Sequence, residues 1–198
     1  MECTKTDTGV KISGVHNLDL AQTLDCGQSF RWVENDNGFT GIAFGREVTM
    51  RLDGETLYID NATQEDYKNI WKNYLDLELD YGKIRESISK IHPTLKEASV
   101  YASGIRILRQ EPWEALCTFI ISQNNNIKRI KGIVARLCEN FGDKVGSGYS
   151  FPTAETLSRL SVQDLEPLRA GFRSKYIIDA AKKVSDGEVN LEICRDLP

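Results

Sequence analysis

Apolar and polar residues alternate along the first third of the chain and recur at helical spacing along the rest. Val48, Met50 and Leu52 alternate with polar neighbours, as do Leu57 and Ile59, and a period of two predicts half-buried strands. Asp53-Gly54 between these runs predicts a two-residue hairpin. Asn35-Asp36-Asn37-Gly38 predicts a looser turn after Phe30 and Trp32, and Gly45-Arg46 turns residues 39–44 back onto the next strand. Residues 9–60 therefore read as an antiparallel meander with one face to cover.

At Thr63 the period changes. Tyr67, Ile70, Trp71, Tyr74 and Leu75 form one helical stripe, opened by a Thr63–Asp66 capping box with Asp in place of Glu. Ile84, Ile88 and Ile91 make the next stripe, which stops near Pro93. Pro112 suits the first turn of a helix carrying Trp113, Leu116, Phe119, Ile120 and Ile121, apolar on more than one side and so read as buried. Beyond Asn124-Asn125-Asn126, the residues Ile127, Ile130, Val134, Leu137 and Phe141 line one face, with Gly142 placed for a C-terminal cap. Thr153 and Ser161 suit the N-caps of two short helices. A last helix carries Tyr176, Ile177, Ala180, Ala181 and Val184 and ends by Gly187. The expectation is an α+β chain: an N-terminal antiparallel sheet with helices over 1–104, and a helical domain over 105–198.

Composition narrows this only a little. The 198 residues are 40% hydrophobic and 27% charged, enough apolar material for a real core. No apolar run reaches the length of a membrane span, and Met1-Glu2-Cys3-Thr4-Lys5 is no signal peptide, so an intracellular setting is expected, cytoplasmic in a prokaryote. The five cysteines are scattered, odd in number and without a CxxC, which favours free thiols; with only His16 and His92 beside them, no metal centre is expected. A net charge of −4 argues mildly against nucleic acid, but Lys128, Arg129, Lys131 and Arg136 cluster after the Asn run while acids crowd residues 55–86.

Five segments in register carry a resemblance. They are Cys26-Gly27-Gln28-Ser29-Phe30-Arg31-Trp32, Tyr74-Leu75-Asp76-Leu77 with Asp80, Ile107-Leu108-Arg109-Gln110-Glu111-Pro112, Phe119 through Arg129, and Ala170-Gly171-Phe172-Arg173-Ser174-Lys175-Tyr176. In that order and spacing the chain closely resembles the 8-oxoguanine DNA glycosylases. The resemblance implies the helix-hairpin-helix glycosylase architecture and double-stranded DNA containing 8-oxoguanine as partner, with no membrane and no cofactor. It also implies base flipping, and a lysine nucleophile whose Schiff base permits strand cleavage. The family's Leu-Pro-Gly-Val-Gly-x-Lys hairpin and later catalytic aspartate do not occur before Pro198, so no catalytic residue is expected in this chain. The further segment of the same enzyme becomes a partner.

The same resemblance assigns roles. Gly27 falls on the glycine whose carbonyl accepts a hydrogen from N7 of 8-oxoguanine; by itself it is also an ordinary turn glycine. Asn124 falls on the asparagine that fills the gap left by the flipped base. Arg129 and Arg173 fall on two arginines that bond the estranged cytosine, although a lone arginine more often lines a solvated helix face. Phe172 stands where the family often has a wedging tyrosine, with core packing the rival reading. Asn125 and Asn126 brace the turn and cap the next helix. Two other readings remain at this level: an alkylated-base glycosylase of the same architecture, and a non-catalytic DNA-binding or interaction domain. The helical half is also expected to expose an apolar face around residues 176–184.

Overall fold

The computed structural model describes residues 1–193; Cys194, one of the five thiols, lies outside them. The described residues divide into two compact units, 1–41 with 48–109, and 42–47 with 110–193.

The first unit is built on a six-stranded sheet. Its strands are β1 (Glu2–Lys5), β2 (Gly9–Ser13), β3 (Trp32–Asn35), β4 (Gly38–Ala43), β5 (Arg46–Asp53) and β6 (Thr56–Asp60), in the order β1-β2-β6-β5-β4-β3. β1 was outside the expected meander: its residues are mostly exposed and give no alternating signal. The β5–β6 register pairs Asp53 with Thr56, so the tight loop is Gly54-Glu55, one residue later than the Asp-Gly signal placed it. Asn35 pairs with Gly38, so the turn expected to be looser also has only two loop residues. Val10, Ile12, Val48, Met50, Leu57 and Ile59 are all buried. Each full burial of such a side chain contributes about 1.5–3 kcal/mol.

A helix follows the sheet. Thr63 and Asp66 form the expected capping box, each side chain accepting from the other's backbone N–H. The helix runs as α2 (Gln64–Asp66), a π-turn (Tyr67–Trp71) and α3 (Lys72–Tyr74). Trp71, Tyr74 and Leu75 are buried, and Trp32 Nε1 donates to the Tyr74 hydroxyl at 2.8 Å. A short α1 (Leu20–Leu24), capped by Asp19, had no periodic signal at five residues. Two further helices are α4 (Tyr81–Ser89) and α5 (Pro93–Tyr101). Pro93 stops the first and starts the second, sitting at the helix start where its missing N–H costs nothing. Neither has a buried residue, and Ile91, Val100 and Tyr101 are among the most exposed apolar side chains of the unit.

Arg106 ties the irregular parts of this unit together. The residue is only 4% exposed. Its guanidinium donates to the carbonyls of His16 (2.7 Å), Asn17 (3.1 Å) and Asp76 (2.7 Å). It also stacks 4.5 Å over the Tyr81 ring. Burial pulls its pKa down, opposed by Tyr81, Asp76 and Asp80.

The second unit opens with the tip of the β4–β5 hairpin. Phe44 (φ 53°) and Gly45 (φ 65°) are both left-handed, and the Phe44 N–H donates to Glu111 Oε2 at 2.9 Å. Its helices are α6 (Pro112–Ser122), α7 (Ile127–Phe141), α8 (Ala154–Ser158) and α9 (Arg173–Ser185), with a 3₁₀ turn at Gln163–Leu168. A two-stranded ribbon, β7 (Lys144–Val145) with β8 (Gly148–Tyr149), follows α7. Gly142 does end α7, but in extended backbone (φ −91°, ψ 162°), not the left-handed cap. Glycine is needed there because a Cβ would collide with the Ser150 carbonyl.

Two expectations for this unit are corrected. α6 is not buried all round: Glu114, Cys117, Thr118 and Ile121 form its covered face, and Phe119 is 65% exposed. α9 buries Ile177, Ile178 and Ala181 and half-buries Ala180 and Val184, so of the apolar face expected around residues 176–184 only Tyr176 stands exposed.

Replacing Arg106 by Met keeps the aliphatic stem and strands several buried carbonyls. The expected loss is roughly 3 kcal/mol of unfolding free energy in urea titrations, since hydrogen bonds to a charged group are worth about 1.5–3 kcal/mol each. A loss below about 1 kcal/mol would show the carbonyls to be otherwise satisfied.

Candidate functional site

α6 and α7 are joined by four residues whose side chains divide the work. Asn125 Nδ2 donates to the Ile121 carbonyl at 3.0 Å, holding the end of α6. Asn126 is the N-cap of α7, its Oδ1 accepting from the Arg129 N–H at 3.0 Å. Asn124 stands between turn and solvent in left-handed backbone, φ 49°, a conformation asparagine tolerates better than most residues. It is exposed, and its amide has no partner among the described residues. The backbone is thus fixed while one polar side chain is left available.

Arg173, at the start of α9, holds that turn from the other side. Its Nε donates to the Gln123 carbonyl at 3.1 Å, and its Nη2 reaches both that carbonyl and the Asn124 carbonyl, the latter at 2.9 Å. Nη1 donates to the Ala170 carbonyl at 3.3 Å. Two more arginines serve the neighbouring carbonyls: Arg136 donates to Leu168, and Arg129 Nη2 to Arg169 at 3.4 Å. Three consecutive carbonyls, 168 to 170, therefore each accept from a different arginine. This turn also needs left-handed backbone, at Arg169 (φ 54°) and Gly171 (φ 63°).

An aromatic pair stands on top. Phe172 is 57% exposed and meets Tyr176 edge-to-face, with ring centroids 6.2 Å apart. The Arg173 guanidinium lies 4.5 Å from the Phe172 ring centre. Lys128, Arg129, Arg169 and Lys175 are exposed on the same elements. An exposed amide, an exposed aromatic and exposed cations on a rigid turn suit a stacked, anionic polymer.

In the first unit Gly27 lies in the loop between α1 and β3 at φ 94°, which L side chains rarely adopt. The Gln28 amide beside it accepts from the Leu108 N–H at 3.0 Å and donates to the Arg106 carbonyl at 2.8 Å. Ser29 and Phe30 are buried behind it.

Comparison with known proteins decides which polymer-handling family this is. A family model described as the 8-oxoguanine DNA glycosylase N-terminal domain matches residues 12–116, and one for the HhH-GPD superfamily of base excision DNA repair proteins matches residues 117–197. The chain belongs to the 8-oxoguanine DNA glycosylase family. It is 36% identical to the N-glycosylase/DNA lyase of Saccharomyces cerevisiae, over 90% of this chain and 53% of that protein. It thus spans about half the length of the curated relatives it matches. The structure of MBOgg1 in complex with a low affinity DNA ligand is 42% identical with a TM-score of 0.95, over 100% of this chain and 70% of that one. The Clostridium acetobutylicum 8-oxoguanine glycosylase/lyase, solved with dsDNA containing cytosine opposite to 8-oxoG, is 39% identical with a TM-score of 0.95, over 100% of this chain and 69% of that one.

Of the residues singled out in the sequence, the fold of this glycosylase-family chain brings Asn124, Arg129, Phe172 and Arg173 together in the second unit. Arg173 differs from the solvated reading of a lone arginine: it is 3% exposed, and four of its bonds go to carbonyls. Two contributors went unnoticed in the sequence. Tyr176 is counted in the sequence only among the apolar residues of the last helix; it is 48% exposed, and its place four residues after Phe172 is the signal for the pair. Arg136 was read only as charge, and nothing in its spacing points at the Leu168 carbonyl.

Asn126→Ala should lower stability by about 1 kcal/mol, the usual worth of an N-cap, without disturbing the Asn124 side chain. Thermal melts of the two proteins measure this; a loss above about 3 kcal/mol would mean that the whole turn collapses with the cap.

Proposed function

We propose that this chain reads 8-oxoguanine opposite cytosine in duplex DNA, as the recognition portion of a base-excision DNA glycosylase with AP lyase activity. The supporting observation is the α6–α7 turn: a clamped backbone that leaves Asn124, Arg129 and Phe172 exposed together. Asn124 enters the space vacated by the flipped base. Phe172 wedges beside the stranded cytosine, keeping the stacking surface of a tyrosine without its hydroxyl. Arg129 gives hydrogens to cytosine O2 and N3, where thymine would present a donor at N3. Arg173 keeps one Nη1 hydrogen for the same base, since its other four N–H groups already have carbonyl acceptors.

The lesion is read on the other unit by the Gly27 carbonyl. Oxidation turns N7 of guanine from acceptor to donor, so a fixed acceptor favours the oxidised base and opposes the normal one. No Leu-Pro-Gly-Val-Gly-x-Lys run occurs within these 198 residues. Recognition is therefore assigned to them, and the Schiff-base amine to a further segment of the same enzyme, with no cofactor in the reaction.

Arg129→Ala should reduce the preference for lesion·C over lesion·A duplexes by about tenfold, the low end for losing a direct base contact. Fluorescence anisotropy at several salt concentrations measures it. Equal loss on both duplexes with a flatter salt slope would make Arg129 a phosphate clamp. Borohydride reduction of this chain on lesion duplex should trap no adduct; a stable cross-link would mean that another amine among its lysines or its N-terminus serves as nucleophile.

A further inference from the structure

Reading one proton on N7 requires that the acceptor be held still. Donor and lone pair differ only over hydrogen-bond range, and a carbonyl free to swing would accommodate either base. Gly27 supplies no such restraint itself, being the residue with the widest backbone freedom. Its neighbour Cys26 is exposed, and residues 26 to 31 belong to neither helix nor strand.

The restraint comes from the next side chain. The Gln28 amide pairs with the backbone of residues 106 and 108 as a strand residue would, one bond given and one taken. Its Nε2 also lies 3.5 Å from the Thr23 carbonyl and 3.3 Å from Cys26 Sγ, drawing both sides of the loop toward one point. The rail it grips is itself fixed. The Arg106 N–H donates to Thr23 Oγ1 at 3.2 Å, the Ile107 N–H to the Tyr81 hydroxyl at 2.9 Å, and the Arg109 N–H to the Tyr74 carbonyl at 2.9 Å. Below it the Arg106 guanidinium is locked onto three carbonyls of two other segments. One amide thus connects the loop of Gly27 to a stretch whose backbone N–H groups are bonded at residues 106, 107 and 109.

We propose that Gln28 is the positioning residue for lesion selectivity: its side-chain amide aims the Gly27 carbonyl, so that preference for a purine bearing an N7 hydrogen depends on it. This rests on the reading of Gly27 given above. Gln28 itself touches no base. Its loss lowers selectivity between oxidised and normal guanine and leaves the partner-base contacts in the other unit to their own residues.

The test is equilibrium binding of the 198-residue chain to 8-oxoguanine·C, guanine·C and abasic-analogue·C duplexes. Gln28→Met keeps length and loses both bonds. Its ratio of lesion to guanine affinity should fall at least about fivefold, as loss of buried hydrogen bonds implies, while abasic-duplex affinity changes less than about twofold. Gln28→Glu adds a readout that mere packing would not move. As a carboxylate it still accepts from the Leu108 N–H but faces the Arg106 carbonyl with no hydrogen. That position raises its pKa, and once protonated its O–H donates to that carbonyl. Selectivity of Gln28→Glu should therefore recover as pH falls from 8 to 5, while Gln28→Met stays flat.

A selective parent with an equally selective Gln28→Met overturns the inference and leaves the Gly27 reading standing. A parent that binds lesion and guanine duplexes alike overturns both. If Gln28→Met fails to fold, Gln28→Glu decides alone: selectivity that is the same at both ends of the pH range, high or low, refutes the positioning role, and recovery at low pH supports it.

Discussion

A guanidinium taken out of water must find acceptors for most of its hydrogens, and in this chain the acceptors are backbone carbonyls. Arg106 shows the constraint most fully. The cost of burying its charge is offset by hydrogen bonds that lie within segments of no regular structure. Those segments, at residues 16–17 and 76–79, have no ladder to satisfy them and would otherwise leave unpaired carbonyls in a part-buried region. One ion solves both problems. From it follow the fixed course of residues 105–109, the grip on Gln28, and the geometry of the Gly27 loop.

The second unit repeats the device with Arg173, Arg136 and Arg129, whose hydrogens go to carbonyls 123, 124 and 168 to 170. Two of the residues held there, Asn124 and Arg169, are left-handed without being glycine. Such backbone costs of order 1–3 kcal/mol each and persists only where the surroundings over-determine it. The arginines supply that determination. The side chains meant to meet a ligand, Asn124 and Phe172, are then free of structural duty and stand exposed.

What was legible in the sequence followed from periodicity and short-range chemistry. Strands β3 to β6, the Thr63–Asp66 capping box and the Asn126 cap all depend on local signals, whereas β2 lies beside β6 and not β3, a pairing of residues some fifty apart that the expected meander does not give. The Asp53-Gly54 signal was displaced by one residue because the register, not the dipeptide, chooses the loop. α5 leaves little trace in the sequence, because Pro93 marks a helix stop as readily as a start and the helix buries no side chain that could make a stripe. α6 was misjudged because a high apolar content does not say which residues are covered: Glu114 and Thr118 are inside, Phe119 outside. The cluster of Asn124, Arg129, Phe172 and Arg173 was found through family resemblance alone, since its members lie some fifty residues apart and no local rule relates them. The carbonyl clamps were invisible by any sequence rule, because an acceptor that every residue carries leaves no compositional trace.

That last property has an evolutionary consequence. At positions 123 and 169, where the side chains are exposed, the clamp reads only the main chain, so those side chains can drift without loosening it, subject to the left-handed backbone at 169. The arginines cannot drift in step, because lysine offers no planar fork to span two carbonyls. Such a contact has one constrained partner and one silent one. Methods that infer contacts from correlated substitution would pass over it, and a transplant of Asn124, Arg129 and Phe172 alone onto another scaffold would fail unless Arg136, Arg173 and the path of the carbonyls travelled with them.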